Sequence, residues 1–323
     1  MGQRAPIALF VFNRADHTAA TLGALADNDL AGDSQLLVFC DGPRKAEDKP
    51  KVDAVRRVVR QARGFADVTI IERPSNLGLA GSVISGVTHL LESHDAVIVV
   101  EDDLTTSPAF LRYMNDGLER FAECERVWSL CGYAYPAWKD MSGSFFVPGA
   151  HPWGWATWRR AWAHFEADHE LLLRQLMLHD LLYDFDVEGS FPHTEWLLRS
   201  GRGEGDSWAL RWIGSAIVHG GLTLYPAQSL VHNTGMDESG TNAPDTDFYE
   251  VGLAETAPSL PQGAPVVDER ALQLLRAYLI SWRVSWGPRE SLYYRVTRWL
   301  PRTLERRLYC ARLRRFLRRQ GLQ

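Results

Sequence analysis

"VIVVEDD", residues 97–103, runs four β-branched residues directly into three consecutive carboxylates, Glu101, Asp102 and Asp103. The apolar half suits a strand covered on both faces, as in a parallel sheet. The acidic half is unfavourable on its own, because neighbouring like charges repel. Two arrangements relieve it: a divalent cation held by hard oxygen ligands, or a solvated turn with a helix-capping acid. The choice depends on what the fold brings to the same place.

Upstream, "IALFVF" (7–12), "QLLVFC" (35–40) and "VTIIER" (68–73) also read as strands. Between them, 14–28, 52–62 and 83–93 carry apolar residues at helical spacing. This alternation continues to about residue 122 and predicts an α/β fold with a doubly wound, mostly parallel sheet. In such sheets ligands bind beyond the C-terminal ends of the strands. Four chemically loaded stretches fall there: "NR" (13–14), "DG" (41–42), "SNLG" (75–78) and "EDD" (101–103). After "LTTSP" a further helix is expected, with Ser107 as N-cap and Pro108 at its first position. Beyond 125 the pattern loosens into short apolar runs without a linker before about 235, so the second half is expected to extend the same sheet. The polar "NTGMDESGTNAPDTD" (233–247) reads as a mobile loop, and the chain is helical from Asp268 onward.

With 323 residues, 46% of them hydrophobic, the chain can build a large core. A net charge of -5 argues against a protein that coats nucleic acid. Its four cysteines show no CxxC pair and no zinc spacing, which suits reduced thiols in the cytoplasm. Neither a signal peptide nor an apolar run of spanning length is expected.

Each candidate residue has a plain reading beside the chemical one. Asp41 either forms the turn before Gly42 or accepts hydrogen bonds from a nucleobase or ribose. Arg14 is either a surface cation or a bidentate donor to a diphosphate. Gly78 and Gly81 permit close backbone approach, but the loop is neither a Walker motif nor GxGxxG.

"VIVVEDDLTTSPAFLRYM" (97–114) resembles the acidic-motif segment of the GT-A nucleotide-sugar glycosyltransferases. Its form is similar to the N-acetylglucosaminyltransferase I type, where an E-D-D triplet follows an apolar strand and precedes a P-x-F helix start. "FVFNR" (10–14), "VFCDG" (38–42) and "SNLG" resemble the other nucleotide-contacting strand ends of that family and of bacterial family-2-like transferases. The likeness spans roughly residues 5–235. It implies a GT-A sheet flanked by helices and a nucleotide-sugar donor, usually UDP-linked, bound with Mn²⁺ or Mg²⁺. By that likeness Asp103 is the direct metal ligand of a DXD-type motif, with Glu101 and Asp102 on the ribose or orienting the site. Asp41 would read the base and Arg14 the phosphates, with Phe12, Asn76 and Gly78 along the nucleotide. The implied division is a glycosyltransferase domain over 1–265, its nucleotide half 1–125 and its acceptor half 126–265, then a helical basic extension over 266–323.

On the acceptor side, an inverting transfer needs a carboxylate base. "GRGEGDSWALRW" (201–212) offers Asp206, then Glu204. Asp206 is otherwise a helix N-cap; the resemblance of "D-x-W" before a helix to the family's catalytic-acid segment favours the base. "HPWGWATWRRAW" (151–162) places Trp155, Trp158 and Trp162 at helical spacing, a core pattern, and leaves Trp153 and the Gly154 turn for the sugar pocket. His151 reads equally as packing or donor contact. His232, after a late strand, is either a satisfied strand-end histidine or, as in many GT-A enzymes, a residue near the metal.

From Arg295 to Arg319 the chain carries ten arginines against one acid, interleaved with Trp299, Leu304, Leu308 and Leu313. That pattern suits the surface of an anionic membrane, with the enzyme peripheral on its inner face, or a solvated helix packing one stripe on the domain. A glycan or lipid-linked acceptor, as in polysaccharide assembly, would agree with it. The rival enzyme is a sugar-phosphate nucleotidyltransferase, which needs a glycine-rich basic loop after strand one, where "NRADHT" (13–18) stands. The non-enzymatic rival is a nucleotide-sugar-binding protein on a dead transferase fold. A dehydrogenase lacks its GxGxxG.

Overall fold

β1 (Ile7–Val11), β2 (Gln35–Cys40), β3 (Asp67–Glu72) and β4 (Ala96–Glu101) form the parallel half of an eight-stranded sheet, in the order β3-β2-β1-β4. The computed structural model describes residues 4–236, 247–285, 287–297 and 299–322, the side chains of 288–291 excepted. The crossovers are α1 (Ala15–Ala26), α2 (Lys49–Val59) and α3 (Gly78–Ser93). Val97, Ile98, Val99 and Val100 are fully buried. Each contributes roughly 1.5–3 kcal/mol relative to an exposed side chain, which is why a β-branched run makes a central strand. Alternation divides β1 between the two faces. Ile7, Leu9 and Val11 pack with Leu22, Leu25 and Val55, while Ala8 and Phe10 pack with Val83 and Val87 of α3.

The second half completes the same sheet, as its apolar runs suggest. β5 (Leu104–Thr106) leaves it, and α4 (Phe110–Arg120) covers it. β6 (Val127–Cys131), β7 (Ser144–Pro148), β8 (Trp155–Trp158) and β9 (Leu222–Pro226) add the order β8-β6-β9-β7 beyond β4. β8 is antiparallel to β4 and β6, and β7 to β9; the other strands share one direction. The architecture is the expected mostly parallel α/β sheet with flanking helices, of a kind compatible with a GT-A, Rossmann-like fold.

Two local expectations shift. Ser107 Oγ accepts from Ala109 N at 3.2 Å, but "LTT" is a strand and α4 begins only at Phe110. The tryptophans 155, 158 and 162 do not lie on one helix. Trp155 and Trp158 bracket β8, and Trp162 ends the single turn α5 (Arg159–Trp162). All three are buried, as core residues should be. Trp155 and Trp162 pack with Trp208 and Trp212, and Trp158 lies on the opposite side of the sheet.

α6 (His169–Leu178), α7 (Leu182–Phe185), α8 (His193–Gly201) and α9 (Trp208–Val218) form a helical layer beside the sheet. β10 (Val231–Asn233) pairs antiparallel with β5. α10 (Glu269–Val284) puts Ala271, Leu272, Leu275 and Leu279 into the main core. α11 (Pro288–Thr297) and α12 (Arg302–Arg319) close the chain, with Tyr309, Leu313 and Leu317 packed on the helical layer. The loop expected over 233–247 lies, from 237 to 246, outside the described residues. Among the described residues no helix is long and apolar enough to cross a membrane. None of the four cysteines is disulfide-bonded, and Cys40, Cys131 and Cys310 are buried.

Candidate functional site

Parallel register brings the loaded strand ends together. Val11 pairs with Cys40, Cys40 with Glu72, and Phe10 with Glu101. The residues that follow therefore emerge along one sheet edge. Phe12, Asn13, Arg14, Asp41, Asn76, Glu101, Asp102 and Asp103 all line one cavity of about 400 Å³.

Arg14 sits among the acids. Its Nη2 donates to Asp102 Oδ1 at 2.6 Å and to Asp103 Oδ2 at 2.9 Å. Its Nη1 is buried with no hydrogen-bond partner among the described residues. Burial alone would lower Arg14, but Asp102 and Asp103 outweigh it and hold the guanidinium above its usual range. Burial raises Asp102, and Arg14 partly offsets this. Glu101 is raised well above the usual carboxylate range, first by burial and then by Asp103 and Asp102. Among the described residues that line this cavity, the acidic side chains Asp41, Glu101, Asp102 and Asp103 outnumber the basic ones, Arg14 and Arg44.

Asp103 is clamped from behind. Thr234 donates to its carbonyl from both N, at 2.8 Å, and Oγ1, at 3.0 Å. A Cβ on Gly235 would come within 2.3 Å of Asp103 Oδ2. The β5–β10 pairing makes this approach, and it adds Asn233 and Met236 to the cavity wall. His232 does not line the cavity. It stands opposite Thr105, with Nε2 at 3.8 Å from Glu250 and Nδ1 buried without a partner among the described residues.

Asp41 is buried and does what a turn former does: its carboxylate accepts from Leu77 N at 2.9 and 3.1 Å and from Gly42 N at 3.0 Å. This ties the end of β2 to the loop that starts α3. Asn76 completes the tie, donating to Gly42 O at 2.9 Å and accepting from Gly78 N at 2.9 Å. Gly78 is in the left-handed region, at φ +73°, as the entry to α3 requires, but it is not on the cavity wall. Arg44, which the sequence did not single out, lies 5.0 Å over the Phe12 ring and joins the wall.

A second cavity, of about 330 Å³, adjoins the first and shares Pro152, Trp153, Trp196 and Met236 with it. Its wall is largely aromatic and aliphatic, with Tyr135, Phe185, Phe191, Tyr225, Tyr249 and Trp282 prominent. Trp153 thus stands between the two spaces. Gly154 is behind it, at φ +57°, where a Cβ would meet Val231 Cγ1 at 2.6 Å; its role is close packing rather than contact with either space. His151 lines the second cavity only, stacked on Tyr133, and burial pushes its imidazole down to about 3.

Asp206 and Glu204 line neither cavity. Asp206 Oδ1 accepts from Arg211 Nη2 at 2.6 Å, while Ser207, one residue on, caps α9. Glu204 accepts from Arg199 at 3.2 Å on an exposed turn. The N-cap of α9 is thus Ser207 rather than Asp206.

The donor set at the strand ends is all oxygen, suited to a hard divalent cation. Among the described residues no group of three or more His, Cys, Asp or Glu forms a ready cage.

No family model matches the chain, and no curated protein matches it. Among solved structures it is similar to the mannosyltransferase PcManGT from Pyrobaculum calidifontis, in complex with GDP-Man and Mn²⁺, at 16% identity and a TM-score of 0.35 over 54% of this chain and 46% of that one. It is also similar to TarS 1-349 from S. aureus, at 11% identity and a TM-score of 0.40 over 73% of this chain and 62% of that one. A third likeness is to UTP-bound UGPase from Acinetobacter baumannii, at 10% identity and a TM-score of 0.35 over 92% of this chain and 100% of that one. The chain spans less than two thirds of the length of the first two.

Proposed function

We propose that the protein is a divalent-cation-dependent glycosyltransferase of the GT-A kind, moving a hexose or N-acetylhexosamine from a nucleotide diphosphate, UDP favoured, to an acceptor hydroxyl. One observation carries the reading: a polar cavity walled by four strand ends shares the Trp153–Trp196 wall with an aromatic cavity. A binding protein needs only the first space. A transferase needs two, meeting at the bond that is exchanged.

Asp103 and Asp102 are the groups that would hold the cation, which supplies charge neutralisation for a leaving diphosphate. Arg14 brings a fixed guanidinium whose buried Nη1 has donors to spare for a phosphate oxygen. Phe12 and Arg44 form a stacked pair at the nucleoside end. Burial, with Asp103 and Asp102 beside it, favours the neutral form of Glu101, the form that donates to a ribose hydroxyl. Trp153 offers an indole face to the transferred sugar. The aromatic cavity suits the acceptor, whether a sugar ring or an apolar carrier. In place of the glycine-rich loop of a nucleotidyltransferase, residues 13–18 supply only Arg14 to the cavity beside Asn13.

The test is product formation. A panel of UDP- and GDP-sugars with Mn²⁺ should show slow nucleotide release by hydrolysis, accelerated by the right acceptor. Release of pyrophosphate from UTP and a sugar phosphate, with no release from nucleotide sugars, would move the protein to the rival enzyme class.

A further inference from the structure

The last two helices carry an apolar, basic surface that stands exposed. Trp299 is 78% exposed and Leu292 64%, and Val296, Leu304 and Leu308 are exposed with them. Spacing places them together. Leu292, Val296 and Trp299 follow one side of α11 into the turn before α12. On α12, the 3.6-residue repeat puts Leu304, Leu308, Ala311 and Arg315 on one side. The opposite side carries Tyr309, Leu313 and Leu317, which are buried. The guanidinium of Arg312 lies 4.8 Å over the Tyr293 ring, so the two helices fold back on each other across the Trp299 turn.

Charge surrounds these apolar residues. Arg295, Arg307, Arg314, Arg315, Arg318 and Arg319 make no ion pair among the described residues. The lone acid of this stretch, Glu305, is buried and bound to Arg276. Arg302 and Arg306 are occupied by Glu188, Glu269, Asp180 and Asp184. On α12, Arg302 and Arg306 are thus paired with acids of the domain, while Arg307, Arg314, Arg315, Arg318 and Arg319 make no ion pair among the described residues.

We infer that this α11–α12 face is a docking surface for an anionic lipid bilayer. Aliphatic side chains and a tryptophan set among arginines suit the boundary between headgroups and acyl chains. A two-fold contact with a second copy would press one arginine row against another. A nucleic acid would use the arginines but gain little from Leu292, Leu304 and Leu308. The surface is independent of which sugar or acceptor the enzyme takes.

Flotation of the full chain with vesicles tests this. Binding to mixed phosphatidylglycerol–phosphatidylcholine vesicles is expected, with at least tenfold weaker binding to phosphatidylcholine alone and loss at high salt. R307Q/R315Q should weaken it roughly thirtyfold, from about fivefold per arginine near an anionic surface. W299S/L304S should weaken it at every salt concentration. All four side chains are exposed, so an unchanged thermal midpoint verifies folding. Equal binding to neutral vesicles, or none to anionic ones, overturns the inference. So does displacement from vesicles by tRNA at stoichiometric amounts, or a dimer that W299S/L304S abolishes.

Discussion

The guanidinium of Arg14 reaches across 88 residues of sequence to hold Asp102 at 2.6 Å, and the same nitrogen holds Asp103. The acids that the sequence left unpaired thus carry an internal counter-ion at the place where a divalent cation would sit. Arg14 was expected on the phosphates. In the structure it is on the carboxylates, and the two roles follow one another if the cation takes over Asp103 and the diphosphate takes over Arg14.

Replacing Arg14 separates these roles. Arg14→Gln leaves two partly buried carboxylates without a partner, which costs about 3–5 kcal/mol. Mn²⁺ without nucleotide should restore much of that loss, about 2.7 kcal/mol at a hundredfold excess over its dissociation constant, and stabilise the wild type less. Thermal unfolding with and without Mn²⁺ reads both. Equal Mn²⁺ shifts in the two proteins would show that Arg14 and the cation do not share ligands.

Gly235 guards the same carboxylate from the other side. Gly235→Ala places a methyl group against Asp103 Oδ2. Nucleotide affinity in the presence of Mn²⁺ should fall about tenfold or more, while the thermal midpoint moves by a few degrees at most, measured by calorimetry and fluorescence. Unchanged affinity would remove Asp103 from the binding set.

Asp206→Asn should leave turnover within a few fold of wild type. The carboxylate is spent on Arg211 and lines neither cavity. A loss of a thousandfold in kcat with donor binding intact would instead make it the acceptor's base.

Acid stability has a determinable sign at the aromatic cavity. Burial lowers His151 to about 3 and His193 to about 4. Between pH 6.5 and these values the unfolded chain binds protons that the folded chain refuses. Their contribution to stability is present above pH 6.5 and lost as pH falls. Relative to wild type, His151→Gln should gain about 1.4 kcal/mol per pH unit from pH 6.5 towards pH 4. Asp186, raised by burial to about 7, works in the opposite sense, with stability lost as pH rises. Only the difference between variant and wild type, by denaturant unfolding, isolates the imidazole. Parallel profiles would mean His151 titrates normally.

The parallel half of the fold was legible because a strand buried on both faces must be continuously apolar, and Val97 to Val100 announce one. The four strand ends followed from topology alone. What lay hidden depended on contacts distant in sequence. The β5–β10 pair consists of two three-residue strands joined across more than a hundred residues, so nothing local marks Asn233, Gly235 or Met236. Trp196 sits in an ordinary amphipathic helix and joins Trp153 in the wall of the two cavities only through the fold. Trp155 and Trp158 misled because a strand followed by one helical turn reproduced a helical spacing. Asp206 stayed open between two readings because a helix-end acid and a catalytic acid share the same local sequence.

The central claim is a cation-dependent nucleotide site at the strand ends, and calorimetric titration of UDP with the wild type and Asp103→Asn tests it most directly. Micromolar binding that requires Mn²⁺ in the wild type and is lost in Asp103→Asn is the predicted result. Equal UDP binding with and without Mn²⁺, or an unaltered Asp103→Asn, would contradict it.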